Sequence, residues 1–134
     1  MQSDEMLKEI LDSTETIASV GLSGSEDKPS HWVGVYLMGE GFRVIPVNPT
    51  VDKILGEKSY PDLESIPEKI DVVQLFRPSE AVMPFVESAI KIGAKVIWMQ
   101  EGIVNEEAAE KARAAGLKVV MDACMRATHR SLCK

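Results

Sequence analysis

Phosphate binding is the first chemistry that the residue types and spacing of this chain indicate. Gly21 and Ser23 directly follow an apolar segment, 16–20. A chain that turns tightly out of a buried strand there leaves backbone N–H groups and a hydroxyl facing a small anion. The run Lys28-Pro29-Ser30-His31 then opens a predicted helix, whose free N–H groups and dipole also favour phosphate. The alternatives are an ordinary turn, a solvated Lys28 and an exposed His31.

Arg77 is the second candidate for anion binding. It follows the apolar segment 72–76, so we expect it at the carboxyl end of a strand. A guanidinium there can form paired hydrogen bonds with a phosphate or stack on a purine ring. The alternative is an ion pair with Glu80 or Glu101.

A typical dinucleotide site is not encoded. Such a site has the pattern G-x-G-x-x-G after the first strand and an acidic residue near the end of the second, where it binds a ribose hydroxyl. Here the first loop lacks that pattern, and segment 43–47 ends in Asn48-Pro49, with Asp52 as the nearest acid. An NAD(H)-binding redox sensor is therefore an alternative that would have to use Asp52.

The C-terminal cysteines and histidine do not form a recognisable reaction centre. Cys124-x4-His129-x3-Cys133 lacks the fourth ligand and the short C-x2-C spacing of a structural zinc site. Nucleophilic catalysis by Cys124 with His129 as base would need a third group to orient the base, and the sequence shows none. We predict a C-terminal segment that packs on the domain, with no metal ligand and no catalytic residue.

Five short apolar segments, several rich in Val and Ile, must position these residues. Each is followed by a helical or capped segment, the order expected of parallel βαβ units. The predicted strands are 16–21, 43–47, 72–76, 94–99 and 117–121. We predict an α/β, Rossmann-like fold with a single doubly wound sheet of about five parallel strands in the order 3-2-1-4-5. Ligand then lies at the switch point between strands one and four.

Two local features of the second helix bear on the site. We predict that Ser30 is its N-cap and that Gly41 ends it in the C′ position. Gly34 lies inside the helix, where glycine costs about 1 kcal/mol relative to alanine. Either close packing compensates for that cost or the glycine is merely tolerated.

Composition limits the partners. The 134 residues, with a formal net charge of −6, predict one domain over 1–134 and argue against duplex nucleic acid, whose affinity comes mainly from Lys and Arg. No run approaches the roughly 20 apolar residues that span a bilayer, and the acidic N-terminus is unlike a secretory signal. With two cysteines that a normal core does not need as staples, we expect a cytoplasmic protein with reduced thiols.

Three motifs follow the predicted strands in a set order: Val47-Asn48-Pro49 after strand two, Phe76-Arg77-x-Ser79-Glu80 after strand three and Trp98-Met99-Gln100-x-Gly102-Ile103 after strand four. Together with Val20-Gly21-Leu22-Ser23 and matching segments along nearly the whole chain, they closely resemble the stand-alone CoA-binding proteins. That family is similar to the CoA-binding domain of the succinyl-CoA synthetase α subunit, without the domains that carry ligase chemistry.

The resemblance implies a CoA site and assigns residues to it. The pyrophosphate side comprises Gly21, Ser23, Lys28, Pro29, Ser30 and His31. The adenosine side comprises Asn48, Pro49, Arg77, Pro78, Ser79 and Val82, and the pantetheine side comprises Gln100, Glu101 and Gly102. The acidic pair Glu26-Asp27 in the first loop departs from the usual pattern of that family. Carboxylates near a pyrophosphate weaken its binding unless they point away.

The expected function is non-catalytic binding of coenzyme A or an acyl-CoA, as a sensor, a carrier or a partner subunit. Besides the redox sensor, the alternative is an acyl-CoA ligase fragment that needs a separate catalytic chain. That ligase chemistry requires a phosphorylatable histidine in a second domain. The acyl group and any protein partner are left open by the sequence.

Overall fold

The computed structural model describes residues 2–134. Its helices are α1 (Asp4–Ser13), α2 (Pro29–Gly39), α3 (Met83–Ile92), α4 (Glu106–Ala114) and α5 (Met125–Leu132), with a 3-10 turn at Ser79–Ala81. Its strands are β1 (Thr16–Val20), β2 (Arg43–Val47), β3 (Lys53–Ile54), β4 (Glu57–Lys58), β5 (Val72–Leu75), β6 (Val96–Met99) and β7 (Lys118–Val120). Each of the five predicted strands is present, shortened by up to two residues.

The central sheet is parallel, with five strands in the order β2-β1-β5-β6-β7. Outside β2, Tyr60 forms a parallel bridge with Val47, and this edge segment takes the third position of the predicted 3-2-1-4-5 pattern. The Rossmann-like fold is thus confirmed, but the assignment of segment 72–76 as strand three is wrong. That segment is β5 and lies beside β1, so the switch point lies between β1 and β5 rather than between β1 and β6.

The wrong position predicted for segment 72–76 has a local cause. The segment between β2 and β5 holds a two-residue hairpin, β3–β4, whose turn at Leu55-Gly56 has positive φ at both residues, 52° and 79°. A tight type I′ turn requires a positive φ at both of its central residues. Neither the hairpin nor Tyr60 carries an apolar run, so hydrophobic periodicity does not reveal this edge of the sheet.

The sheet separates two layers of core. Because side chains alternate along a strand, Ala18 and Val20 pack with α3 and α4, whereas Ile17 packs with α1, α2 and α5. Trp98 of β6 is fully buried in the second layer. Helices thus cover both faces, and the carboxyl ends of the strands emerge together at one edge. None of the helices described is long and apolar enough to cross a membrane.

Candidate functional site

Two adjoining clefts open where the strands end. The main cleft, of about 570 Å³, is bordered by the loops after β1, β5 and β6 and by the start of α2. The side cleft, of about 390 Å³, lies over the ends of β1 and β2. Gly21 and Arg77 line both, so the two clefts meet at these residues. This is the edge at which doubly wound sheets bind ligands.

The clefts bring together most of the predicted site residues. The main cleft is lined by Gly21, Ser23, Lys28, Pro29, Ser30, Arg77, Gln100 and Glu101, and the side cleft adds Asn48 and Pro49. The predicted residues that line neither cleft are His31, Pro78, Ser79, Val82 and Gly102.

Gly21 makes the sharp exit from β1. Its φ of +88° lies in the region that side chains rarely adopt, and a Cβ atom there would stand 3.3 Å from the Cβ of Phe76. Its amide donates to the carbonyl of Val47 at 3.1 Å. Glycine is therefore required both for the turn and for the close approach of two loops.

The N-terminus of α2 differs from the prediction by two positions. Lys28, not Ser30, is the N-cap, and no side chain caps the helix. The reason is Pro29, whose fixed φ and missing N–H suit the first helical position. Ser30 instead accepts a hydrogen bond from the amide of Ser23 through its Oγ at 3.0 Å, so the hydroxyl ties the first loop to the helix.

His31 also holds the loop. It is 7% exposed, and its Nδ1 lies 3.2 Å from the carbonyl oxygen of Ser23. Gly34 allows the helix to approach the same loop, since a Cβ atom there would meet Cδ1 of Leu22 at 2.9 Å. Of the two alternatives left open for Gly34, close packing is the one present, against Leu22 of the loop and against Leu55.

Arg77 is exposed and unpaired. Within residues 2–134 no carboxylate lies within 4.0 Å of it, so the alternative ion pairs with Glu80 and Glu101 are not formed. An arginine without a carboxylate partner, where two clefts meet, is free to bind an anion.

Gln100 contributes a buried polar group to the floor of the main cleft. It is 4% exposed, and its Oε1 accepts from Gln74 Nε2 at 3.2 Å and from the amide of Met125 at 3.0 Å. Gln74 in turn accepts from Ser19 Oγ at 2.8 Å. A hydrogen-bonded chain thus runs under the cleft from β1 to the start of α5.

The other predicted residues stabilise neighbouring loops. Ser79 Oγ accepts from the amide of Val104 at 3.0 Å, and its carbonyl accepts from Asn105 Nδ2 at 2.9 Å. Val82 is fully buried in the core. The amide of Gly102 donates to Asp122 Oδ1 at 2.7 Å, which joins the loops after β6 and β7. For these residues ligand contact stays a prediction.

The acidic pair of the first loop does not line either cleft. Asp27 accepts a hydrogen bond from Ser25 Oγ, and this bond lowers the pKa of Asp27 below its ordinary value. The carbonyl of Glu26 accepts from the exposed indole of Trp32 at 2.6 Å. The loop is thus held by its own contacts, and its carboxylates do not border the space that a ligand would occupy.

Sequence reasoning missed several apolar or weakly polar lining residues, including Phe76, Ile103 and Cys124. The position of Cys124 could have been predicted from the sequence, because it stands four residues after β7 and the carboxyl ends of the strands meet at the main cleft. The segment around it is the N-terminus of α5, which packs on the domain as predicted.

His129 is engaged within that packing. Its Nδ1 lies 2.7 Å from the hydroxyl of Tyr36, whose pKa is raised by burial, and its ring stands edge-on to Phe42. Across the described residues, no three His, Cys, Asp or Glu side chains come together as metal ligands do.

Comparison with known proteins identifies the family. A protein-family model described as a CoA binding domain matches residues 15–130. A Bacillus subtilis protein, the uncharacterised YneT, is 42% identical over 92% of this chain and 91% of its own length. A solved structure from Pyrococcus horikoshii, of a hypothetical protein, has a TM-score of 0.97 at 43% identity and covers 99% of this chain and 94% of that one.

A larger relative carries a similar domain. The dinucleotide-forming acetyl-coenzyme A synthetase 1 of Candidatus Korarchaeum cryptofilum matches with a TM-score of 0.71 and 31% identity over 83% of this chain, but over only 26% of its own. The present chain therefore corresponds to about a quarter of that synthetase. On the match over 15–130 and the likeness along nearly the whole chain, this protein belongs to the CoA binding domain family.

Proposed function

We propose that this protein binds coenzyme A or an acyl-CoA, without catalysis of its own, as a sensor, carrier or partner subunit. The observation that carries the proposal is the paired cleft at the strand ends, with Lys28 and the unpaired Arg77 beside the start of α2. These cations form a local anion site on a chain of net charge −6, and such a site requires only local charge.

Two clefts that meet at Gly21 and Arg77 suit a long ligand that occupies both. The pyrophosphate would lie beside Gly21 and Ser23 at the first turn of α2, where the helix dipole favours negative charge. The amides of Gly21 and Ser23 are engaged by the Val47 carbonyl and by Ser30 Oγ, so the dipole and the nearby cations, rather than these two amides, would hold the anion. The adenosine would occupy the side cleft beside Asn48 and Pro49. The pantetheine would run along the main cleft past Gln100 and Glu101.

The contacts at the end of β2 argue against the NAD(H) alternative. Asn48 Oδ1 accepts from the amide and the hydroxyl of Thr50 at 3.0 and 2.7 Å, so this position is an amide committed to its own turn. Asp52 lines neither cleft. A carboxylate for the ribose hydroxyls is therefore missing at the place where dinucleotide folds present it.

The ligase-fragment alternative needs a separate catalytic chain. The only two histidines of this sequence are His31 and His129; the first bonds the loop carbonyl of Ser23 and the second bonds Tyr36. Neither lines the main cleft or the side cleft, so neither is placed to carry a phosphoryl group to a ligand bound there. We expect purified protein alone to leave acyl-CoA unchanged.

Titration calorimetry tests the proposal. Ligand-stripped protein in excess dithiothreitol is titrated with CoA and, under the same conditions, with NAD+. We expect micromolar binding of CoA and no heat from NAD+. Heat from NAD+ without heat from CoA would make the protein a redox sensor instead. No heat from either ligand would refute a CoA function.

A further inference from the structure

Cys124 lines the main cleft and is not among the residues assigned to nucleotide binding. It shares that cleft with Gln100 and Glu101, the residues assigned to the pantetheine side. It is a free, partly exposed thiol. CoA ends in a thiol at the far end of its pantetheine, so two thiols would be present in one cleft.

The backbone on both sides of Cys124 is fixed by buried side chains. The indole Nε1 of Trp98 donates to the carbonyl of Ala123 at 2.8 Å, and the amide of Met125 donates to Gln100 Oε1 at 3.0 Å. Trp98 is fully buried and Gln100 nearly so. Anchors of this kind hold the backbone of Cys124 at one place in the cleft wall.

The Gln100 amide supplies an independent sign of a ligand at the same place. Because the Met125 amide can only donate, the side-chain atom facing it is the oxygen, and the Gln100 nitrogen is the other atom. In the part of the chain described, that nitrogen has no acceptor, yet no fully enclosed side-chain polar atom lacks a partner. The nitrogen is therefore not enclosed, and in the cleft that Gln100 lines it can donate a hydrogen bond to a ligand.

We propose that Cys124 captures CoA as a mixed disulfide by exchange with CoA disulfide. The inference rests on the proposed CoA function. The Cys124 thiolate attacks one sulfur of CoA disulfide, the old S–S bond breaks, and the second CoA leaves as a thiolate that takes up a proton. The proton of Cys124 goes to solvent. No other oxidant is needed, and a reducing thiol reverses the step.

The second cysteine provides a matched control. Cys133 lies outside the clefts, with its Sγ 3.9 Å from Asp12 Oδ1. Burial, followed by the nearby Asp12 carboxylate, raises the pKa of Cys133. A raised pKa lowers the thiolate fraction and with it the reactivity, so Cys133 is expected to stay unmodified.

The experiment compares wild type, Cys124→Ser and Cys133→Ser after incubation with CoA disulfide, using intact mass spectrometry. We expect wild type and Cys133→Ser to gain one CoA less two hydrogen atoms, reversibly with dithiothreitol, and Cys124→Ser to gain nothing. Cystine serves as a probe of general thiol reactivity, and we expect it to label Cys124 at least tenfold more slowly than CoA disulfide does.

Two results would overturn the inference. One is labelling of Cys133, or no labelling, while reduced wild type still binds CoA in the dithiothreitol titration; the proposed function would then stand without the capture. The other is equal labelling by cystine, since the adduct would then reflect an ordinary reactive thiol. Failure of reduced wild type to bind CoA would remove both proposals.

Discussion

Replacing Arg77 by alanine tests how the two clefts bind an anion. The Arg77 guanidinium lies where the clefts meet and has no carboxylate partner among the described side chains. A hydrogen bond to a charged group contributes about 1.5–3 kcal/mol. Since about 1.4 kcal/mol is a factor of ten, Arg77→Ala is expected to raise the Kd for CoA roughly 10- to 150-fold.

Arg77→Ala should leave the stability of the folded protein nearly unchanged. Arg77 is exposed, and exposed substitutions away from special features usually alter stability by less than about 0.5 kcal/mol. Calorimetric titration gives the Kd, and thermal unfolding of the free protein checks the fold. Arg113→Ala is the control, because it removes the same charge from the exposed face of α4.

Salt dependence sharpens the test. Charge–phosphate contacts weaken as salt screens them, so wild-type affinity should fall with salt more steeply than that of Arg77→Ala. An unchanged Kd in Arg77→Ala, or an equal loss in Arg113→Ala, would show that Arg77 does not contact the ligand and that the assignment of the cleft junction is mistaken.

Three further predictions concern the loop, the core and the half-buried carboxylate of Asp71. Ser23→Trp fills the main cleft, so CoA binding is lost in calorimetry while the melting temperature of the free protein stays nearly unchanged; normal binding would mean that the loop is misplaced. Trp98→Phe leaves the half-buried Ala123 carbonyl without its donor and should lower the free energy of unfolding in urea by about 0.5–1.5 kcal/mol, whereas Trp32→Phe, at an exposed indole, should not. Asp71 accepts from the amides of Glu15 and Thr16 at 2.9 and 3.0 Å. Burial alone would raise its pKa, but these bonds and Lys95 outweigh burial and lower it. Because the pKa of Asp71 is lower in the folded than in the unfolded protein, the ionised carboxylate stabilises the fold at pH values above its ordinary pKa of 3.8. This stabilisation is lost as the pH falls through the pKa of the folded protein. Asp71→Asn should thus be less stable than wild type near neutral pH, with the gap closing in acid; a gap independent of pH would refute this origin.

The strands were predictable because burial on both faces leaves continuous apolar runs, as in Val96–Met99. The edge at Tyr60 was not, because a two-residue hairpin and a single bridge bury too little to leave a periodic pattern. The N-cap of α2 was placed two residues late, because Ser30 has the chemistry of a cap, whereas its hydroxyl is used by the Ser23 amide.

The candidate site was predictable to the extent that strand ends meet at one edge. This rule places Gly21, Arg77 and Gln100 together in the main cleft, as the structure does. It does not distinguish residues that line a cleft from those that support it. His31 and Val82 belong to the second kind, and only tertiary contacts reveal that.

The central claim, that CoA occupies the clefts at the carboxyl ends of the strands, is tested most directly by an amide chemical-shift titration. With 15N-labelled protein in dithiothreitol, added CoA should shift the amides of Gly21, Ser23, Arg77 and Gln100. The amides of 93–96 and 116–118 line a separate cleft at the opposite side of the sheet, where β6 and β7 begin, and their shifts should stay unchanged. Shifts confined to that opposite side, or no shifts at saturating CoA, would contradict the account.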